Sequence, residues 1–328
     1  MPEAGRVVVI TGGSAGIGRA TALAFAVRGA RLALLARGEA GLAGAQREVE
    51  RAGGTALTLQ ADVADPAAVE AAAERIEREL GPIDVWINNA MVSVMSAIRD
   101  LSAEEFRRVA EVTYLGVVHG TLSALRRMTP RGRGTIVQIV SALGYRSIPL
   151  QSAYCAAKHA VLGFTDSLRC ELLHERSRLH LIAVYPPASD TPQFSWVRSH
   201  LPKPPRPLPP TYRPELTAEA IAWVVDHPRR ELWIGGPTYA GILTQRLAPA
   251  LVDRWLANRA WKGQQQDGAR VPRDNLWKAQ DAAEDFGVHG AFGGEARRRS
   301  FALWATQHRG LVAFTVLLLV TGAVILFL

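Results

Sequence analysis

An α/β fold built on a doubly wound parallel sheet is what this sequence predicts, and three observations carry the prediction. Short apolar runs such as 6–10, 83–87 and 134–140 alternate with longer helical segments, as when strands are buried on both faces between crossover helices. A glycine-rich turn follows the first of these runs directly. Ser141 closes the 134–140 run and so falls at the carboxyl end of a strand, where open α/β sheets bind their ligands. With 328 residues and 48% hydrophobic content, the chain suits one large core of about 230 residues with an appendix better than two smaller domains.

Taken in order, the strand 6–10 runs into Thr11-Gly-Gly-Ser-Ala-Gly-Ile-Gly18 and a helix over 17–28. Gly12 permits the tight turn, Gly16 lets backbone approach a pyrophosphate, and Gly18 lets helix and strand pack closely. Unpaired N–H groups at the helix start face the phosphates. The turn therefore reads as dinucleotide-binding, rather than as an ordinary glycine loop, and the sheet as Rossmann-type with helices on both faces. The strand 31–36 ends in Ala36-Arg37. No carboxylate stands at Ala36 to grip ribose hydroxyls, and an arginine just past the strand suits a 2′-phosphate, so NADP is favoured over NAD. The competing reading of Arg37 is a solvated surface side chain. A helix over 39–52 and a strand over 55–60 lead to Asp62-Val63, where a strand-end aspartate also serves as a cap. Pro66 opens the next helix in the favoured first turn, and the strand 83–87 ends in Asn88-Asn89-Ala90-Met91. His119, in an amphipathic helix, reads as structural.

From Gln151 to about residue 175 the pattern is helical, which places Tyr154 and Lys158 about 5 to 6 Å apart on one face. A phenol with a reference pKa of about 10 is a poor acid or base near neutrality, and a fixed positive charge beside it lowers that value. Such a pair alone arises by accident on many helices. Ser141 thirteen positions upstream and the opening glycine turn give it weight, and together these features resemble the short-chain dehydrogenase/reductase family over about residues 5–236.

The resemblance implies that Tyr154 is the catalytic acid/base, that Lys158 holds the nicotinamide ribose and tunes the tyrosine, and that Ser141 steadies the substrate oxygen. It implies cofactor contacts from Gly12, Ser14, Gly16, Ile17 and Gly18 in the turn, and from Arg37, Asp62 and Val63 around the adenosine. Asn89 would back the cofactor site, with Tyr154, Lys158 and Thr191 beside the nicotinamide. Three positions depart from the family pattern: Met91 and Pro187 replace glycines, and Thr113 replaces the asparagine of a proton relay. The Thr113 hydroxyl is the candidate substitute in that relay. Relatives also often pair into homo-oligomers.

The strand 180–185, a helix over 217–225 and the strand 231–234 complete a catalytic domain over 1–236. Between them, 201–210 carries six prolines and reads as stiff and extended, first as a lid, then as a spacer or docking ligand. In the helical extension 237–262, Leu243, Leu247, Leu251, Trp255 and Leu256 recur at helical spacing, as for packing on the domain, dimerising or lying against lipid. The polar stretch 263–310 reads as a mobile linker. Residues 311–328 are uncharged and span about 27 Å as a helix, close to the roughly 30 Å of a bilayer core, so they read as a transmembrane anchor. Arg297, Arg298, Arg299 and Arg309 precede it and keep the catalytic domain in the cytoplasm by the positive-inside rule. The formal charge of +8 comes with no nucleic-acid recognition motif. The two cysteines, Cys155 and Cys170, offer no metal spacing or disulfide framework, and the first residues lack the features of a signal peptide. The expected protein is a membrane-anchored, NADP-dependent oxidoreductase that interconverts an apolar secondary alcohol with its ketone, or an aldehyde. A membrane-tethered NADP(H)-binding scaffold or redox sensor with little turnover is the competing reading, motivated by Met91, Thr113 and Pro187.

Overall fold

The computed structural model describes residues 5–269 and 273–315. Its strands are β1 (Val7–Thr11), β2 (Arg31–Ala36), β3 (Thr55–Gln60), β4 (Val85–Asn88), β5 (Val94–Met95), β6 (Thr135–Ile139), β7 (His180–Tyr185), β8 (Arg198–Ser199) and β9 (Glu231–Trp233). Among the described residues, seven of them form one parallel sheet in the order β3-β2-β1-β4-β6-β7-β9, while β5 and β8 pair separately. The chain reverses direction of growth between β1 and β4, the switch point at which doubly wound sheets open a ligand crevice. The predicted α/β class and its Rossmann-type sheet are therefore what the chain adopts.

Neighbouring residues of one strand feed different layers, as a period of two requires. Val8 and Ile10 pack with α1 (Gly16–Ala26), α2 (Glu39–Arg51) and α8 (Pro214–Asp226). Val7 and Val9 pack with α3 (Pro66–Leu80), α4 (Ala103–Ala110), α5 (Gly116–Arg131) and α6 (Ser152–His174). A π-helical turn over Glu111–Leu115 joins α4 to α5. Short α7 (Gln193–Trp196) follows β7, and α9 (Gly236–Leu247), α10 (Pro249–Gly263) and α11 (Phe301–Gln307) follow β9. The extension predicted as one helical stretch is thus two helices, because Pro249 cannot continue α9 but suits the first turn of α10.

Within the stretch 263–310, whose composition suggested a mobile linker, the described residues from 273 onward are packed on the domain. Residues 273–300 lie across the molecule, with Leu276 fully buried, Val288 and Phe292 buried, and Phe286 edge-on to Trp196 at 4.7 Å. Arg297 takes part in backbone hydrogen bonds with Thr211 and Arg213. A few well-spaced apolar side chains and several arginine partners hold this segment where average polarity does not. We call residues 273–292 the strap. Of the predicted transmembrane segment, 316–328 lie outside the described residues, and among the described residues no helix is long and apolar enough to cross a membrane.

Candidate active site

The glycine turn has the geometry its spacing implied. Gly12 and Gly16 hold positive φ of 68° and 54°, and the Gly12 and Gly13 N–H groups donate to the Leu35 carbonyl at 2.7 and 3.2 Å. A Cβ on Gly18 would collide with the Gly12 carbonyl and lie 2.6 Å from Asn89 Nδ2, so α1 can start here only with glycine. Asn89 supports the turn from beneath, its Nδ2 donating to the carbonyls of Thr11 and Gly12 at 3.0 and 3.1 Å. Asn88 instead ties β4 to Thr121 and Gln138 in a buried network.

This turn opens one end of a cleft of about 180 Å³, lined by Ser14, Gly16, Ile17, Arg37, Asp62, Val63 and Asn89 among others. The carbonyl of Val63 lies 2.9 Å from His119 Nδ1, which ties α5 to this side of the cleft. Asp62 accepts from the Ala64 N–H at 3.0 Å and pairs with Arg108. Burial works to raise its pKa, but these donors outweigh it and hold the carboxyl below its ordinary value. Thr191 lies within van der Waals reach of a Cβ built on Gly16 and lines the cleft beside the turn.

There the cleft meets a second cavity of about 770 Å³; Ile17, Asn89, Met91, Thr191 and Gln193 line both. Ser141, Tyr154 and Lys158 lie on the wall of this larger cavity, at the end of β6 and on the first turns of α6. The rest of its lining is mostly apolar: Leu143, Ile148, Phe194, Leu208, Val252 and Leu256. Pro207, Pro209 and Pro210 also line it, so the proline-rich segment is a cavity wall.

Within the triad, burial is the largest influence on the protonation of both Tyr154 and Lys158. The Tyr154 phenol is pushed above an ordinary tyrosine by burial, and its hydrogen bond with Ser141 only partly offsets this. Lys158 is 1% exposed, and burial pushes its pKa down to about 7. Its Nζ donates to the Ile139 carbonyl at 2.6 Å and lies 5.6 Å from the centre of the Tyr154 ring. The lysine therefore faces the ring and the strand end. Thr113 lies beneath the loop that follows β4. Its hydroxyl donates to the Val92 carbonyl at 2.8 Å and accepts from the Val92 N–H at 3.0 Å. With these two bonds and its side chain fully buried, Thr113 clamps the loop after β4.

Several lining residues escaped the sequence reading. Gln193 and Trp196 belong to α7, and Asn275, Ala279, Gln280 and Asp281 belong to the strap. Arg37, read as a phosphate ligand, donates to the carbonyls of Leu276 and Trp277 at 3.2 and 3.3 Å and to that of Asn275. It remains on the cleft wall, but the strap orients it.

The sequence profile of the short chain dehydrogenase family matches residues 6–201. The chain belongs to the short-chain dehydrogenase family. Like this short-chain dehydrogenase, an uncharacterized oxidoreductase of Bacillus subtilis (strain 168), YxnA, extends well past the family match: the two are 33% identical over 308 residues, 92% of this chain and 85% of YxnA. The dehydrogenase/reductase SDR family member 7B of Bos taurus is 42% identical over 172 residues, about half of each protein. Among solved structures, levodione reductase superposes with a TM-score of 0.63 at 29% identity, covering 72% of this chain and 99% of that one. An alcohol dehydrogenase from the archaeon Thermococcus sibiricus, complexed with 5-hydroxy-NADP, superposes with a TM-score of 0.60 at 28% identity, covering 70% and 95%. The protein is thus an oxidoreductase of a family that uses NAD or NADP.

Proposed function

We propose that this short-chain dehydrogenase transfers hydride between NADP(H) and an apolar secondary alcohol or its ketone, or an aldehyde. The observation that carries the reading is a single junction: Ser141, Tyr154 and Lys158 line a wide, mostly apolar cavity where it meets the glycine-edged cleft. The positive-φ glycines of the turn form the edge of the cleft, as in a dinucleotide site, and Arg37 on its wall favours a 2′-phosphate. When bound, the dinucleotide supplies or accepts the hydride.

The remaining work falls to the protein. Ser141 donates a hydrogen bond to the substrate oxygen and orients it toward Tyr154. In the reducing direction the phenol gives that oxygen its proton, and a raised pKa keeps the proton in place at neutrality until it is needed. Lys158 lies where, once protonated, it offsets the phenolate that remains. A cavity of about 770 Å³ falls within the size range of small-molecule sites, and its lining selects bulky apolar carbonyl compounds over small polar ones. We also place the protein on a membrane, with 311–328 as an anchor and the catalytic domain on the cytoplasmic side, which suits a lipid-borne substrate.

The test is to follow NADPH oxidation by the purified protein over apolar ketones and aldehydes of increasing size. Tyr154→Phe should lower kcat by about 10²–10⁴-fold while leaving NADPH affinity within a few-fold. Tight NADPH binding with no turnover on any substrate would favour a binding scaffold or sensor instead. Recovery in the soluble fraction with 311–328 intact would overturn the membrane assignment.

A further inference from the structure

The strap reaches the cofactor cleft at its adenosine end and touches several parts of it. Near its start, Asn275 lines the cleft, and its Oδ1 is buried without a hydrogen-bond partner among the described residues. Such an acceptor, left unpaired on the wall of a cleft, marks a place for a donor from a ligand. Three carbonyls from Asn275, Leu276 and Trp277 hold the Arg37 guanidinium. Further along, the buried Asp281 carboxylate lies against Gly38 and Gly41, where a Cβ at either glycine would collide with it. That is the first turn of α2, directly after β2, the position at which Rossmann-type sites read the adenosine ribose. The strap's far end is pinned by Asp285 to Arg19 and by the Gly287 carbonyl, which accepts from the Gly16 N–H at 3.1 Å.

We infer that the strap is the outer wall of the adenosine half of the dinucleotide site, and that Asp281 selects the cofactor by occupying space beside Arg37 that a 2′-phosphate would need. A carboxylate there accepts hydrogen bonds from the ribose hydroxyls of NAD(H) but repels the phosphate of NADP(H). The acid missing at Ala36 is thus supplied across the cleft by a residue far along the chain. Arg37 and Asp281 act in opposition: the arginine attracts the 2′-phosphate, the aspartate disfavours it, and the preference is their balance. Asn275 Oδ1 serves both cofactors alike, accepting from the adenine amino group or a ribose hydroxyl that the two share.

This inference rests on the dinucleotide reading, and one experiment separates the two. Dissociation constants for NADPH and NADH are measured by calorimetry on the full-length protein and its variants, with no turnover required. Asp281→Asn, nearly isosteric, should shift the ratio of the two constants toward NADPH by about tenfold, and Arg37→Ala should shift it the other way. Asn275→Ala should weaken both dinucleotides by about two- to tenfold and leave the ratio unchanged. If Asp281→Asn fails to fold, Asp281→Ser carries the same expectation. An unchanged ratio in a folded Asp281 variant that still binds dinucleotide overturns the inference and leaves the oxidoreductase reading intact. Failure of the unmodified protein to bind either dinucleotide overturns both.

Discussion

Lys158 carries an electrostatic conflict that can be measured apart from catalysis. Its ammonium is buried with a single carbonyl acceptor among the described residues, that of Ile139, and burial pushes its pKa down from an ordinary 10.5 to about 7. The unfolded chain keeps this proton up to about pH 10.5, whereas the folded chain releases it near pH 7. Between these values the unfolded state binds more protons, so this group makes stability rise with pH across that window and contributes no pH dependence below it. The native protein should therefore gain up to about 2 kcal/mol from Lys158 between pH 7 and pH 9, and Lys158→Met should remove that part of the slope. Urea unfolding of both proteins at the two pH values measures it. Parallel pH profiles would mean that the lysine keeps an ordinary pKa in the fold. The same substitution should abolish turnover, which separates what the residue contributes to chemistry from what it costs the fold.

At the scale of elements, α2 shows why the strap was not read from sequence. Gly38, Gly41 and Gly44 recur every third residue, so they share one face of the helix start, and Asp281 and Asp285 of the strap lie against that face. Each glycine inside a helix costs about 0.5–1 kcal/mol relative to alanine, a loss with no evident local reason. The triplet was the one signal in the sequence that something packs there, but nothing local names the partner. Ser141, Tyr154 and Lys158 were legible because their spacing is short and fixed by one strand end and one helix. Thr113 was not, because the sequence does not show which backbone group its hydroxyl meets. From the packing, Gly41→Ala should fail to stabilise the native protein, because the added methyl meets the Asp281 side chain. In an Asp281→Gly background it should stabilise by about 0.5–1 kcal/mol, as helix propensity requires. A double-mutant cycle by urea denaturation reads the coupling, and additive effects would show that the strap does not rest on α2.

Across the whole molecule, the fold joins the start of the chain to its last fifth through the cofactor cleft. Arg19 pairs with Asp285 and Arg37 donates to Asn275, partners separated by 266 and 238 positions. Closing so long a loop is entropically slow to reward, but its cost grows only with the logarithm of length, so a few buried contacts suffice once the sheet has formed. The sheet itself was readable because each apolar run had to be buried on both faces. The strap was not, since Leu276, Val288 and Phe292 follow no helical or strand period and become core only against a surface already built. A ligand held between the glycine turn and the strap must therefore stabilise both together, by RT ln(1 + [L]/Kd), or about 2.7 kcal/mol at a hundredfold excess over Kd. Native-state hydrogen exchange tests this directly. Saturating dinucleotide should slow exchange at the Gly16 amide, which donates to Gly287, and in parallel at the strap amides of Leu276, Gly287 and Phe292, each of which donates to a protein oxygen. Protection confined to the glycine turn would mean that the cofactor binds with the strap displaced, and that the two ends of the chain are joined only when the cleft is empty.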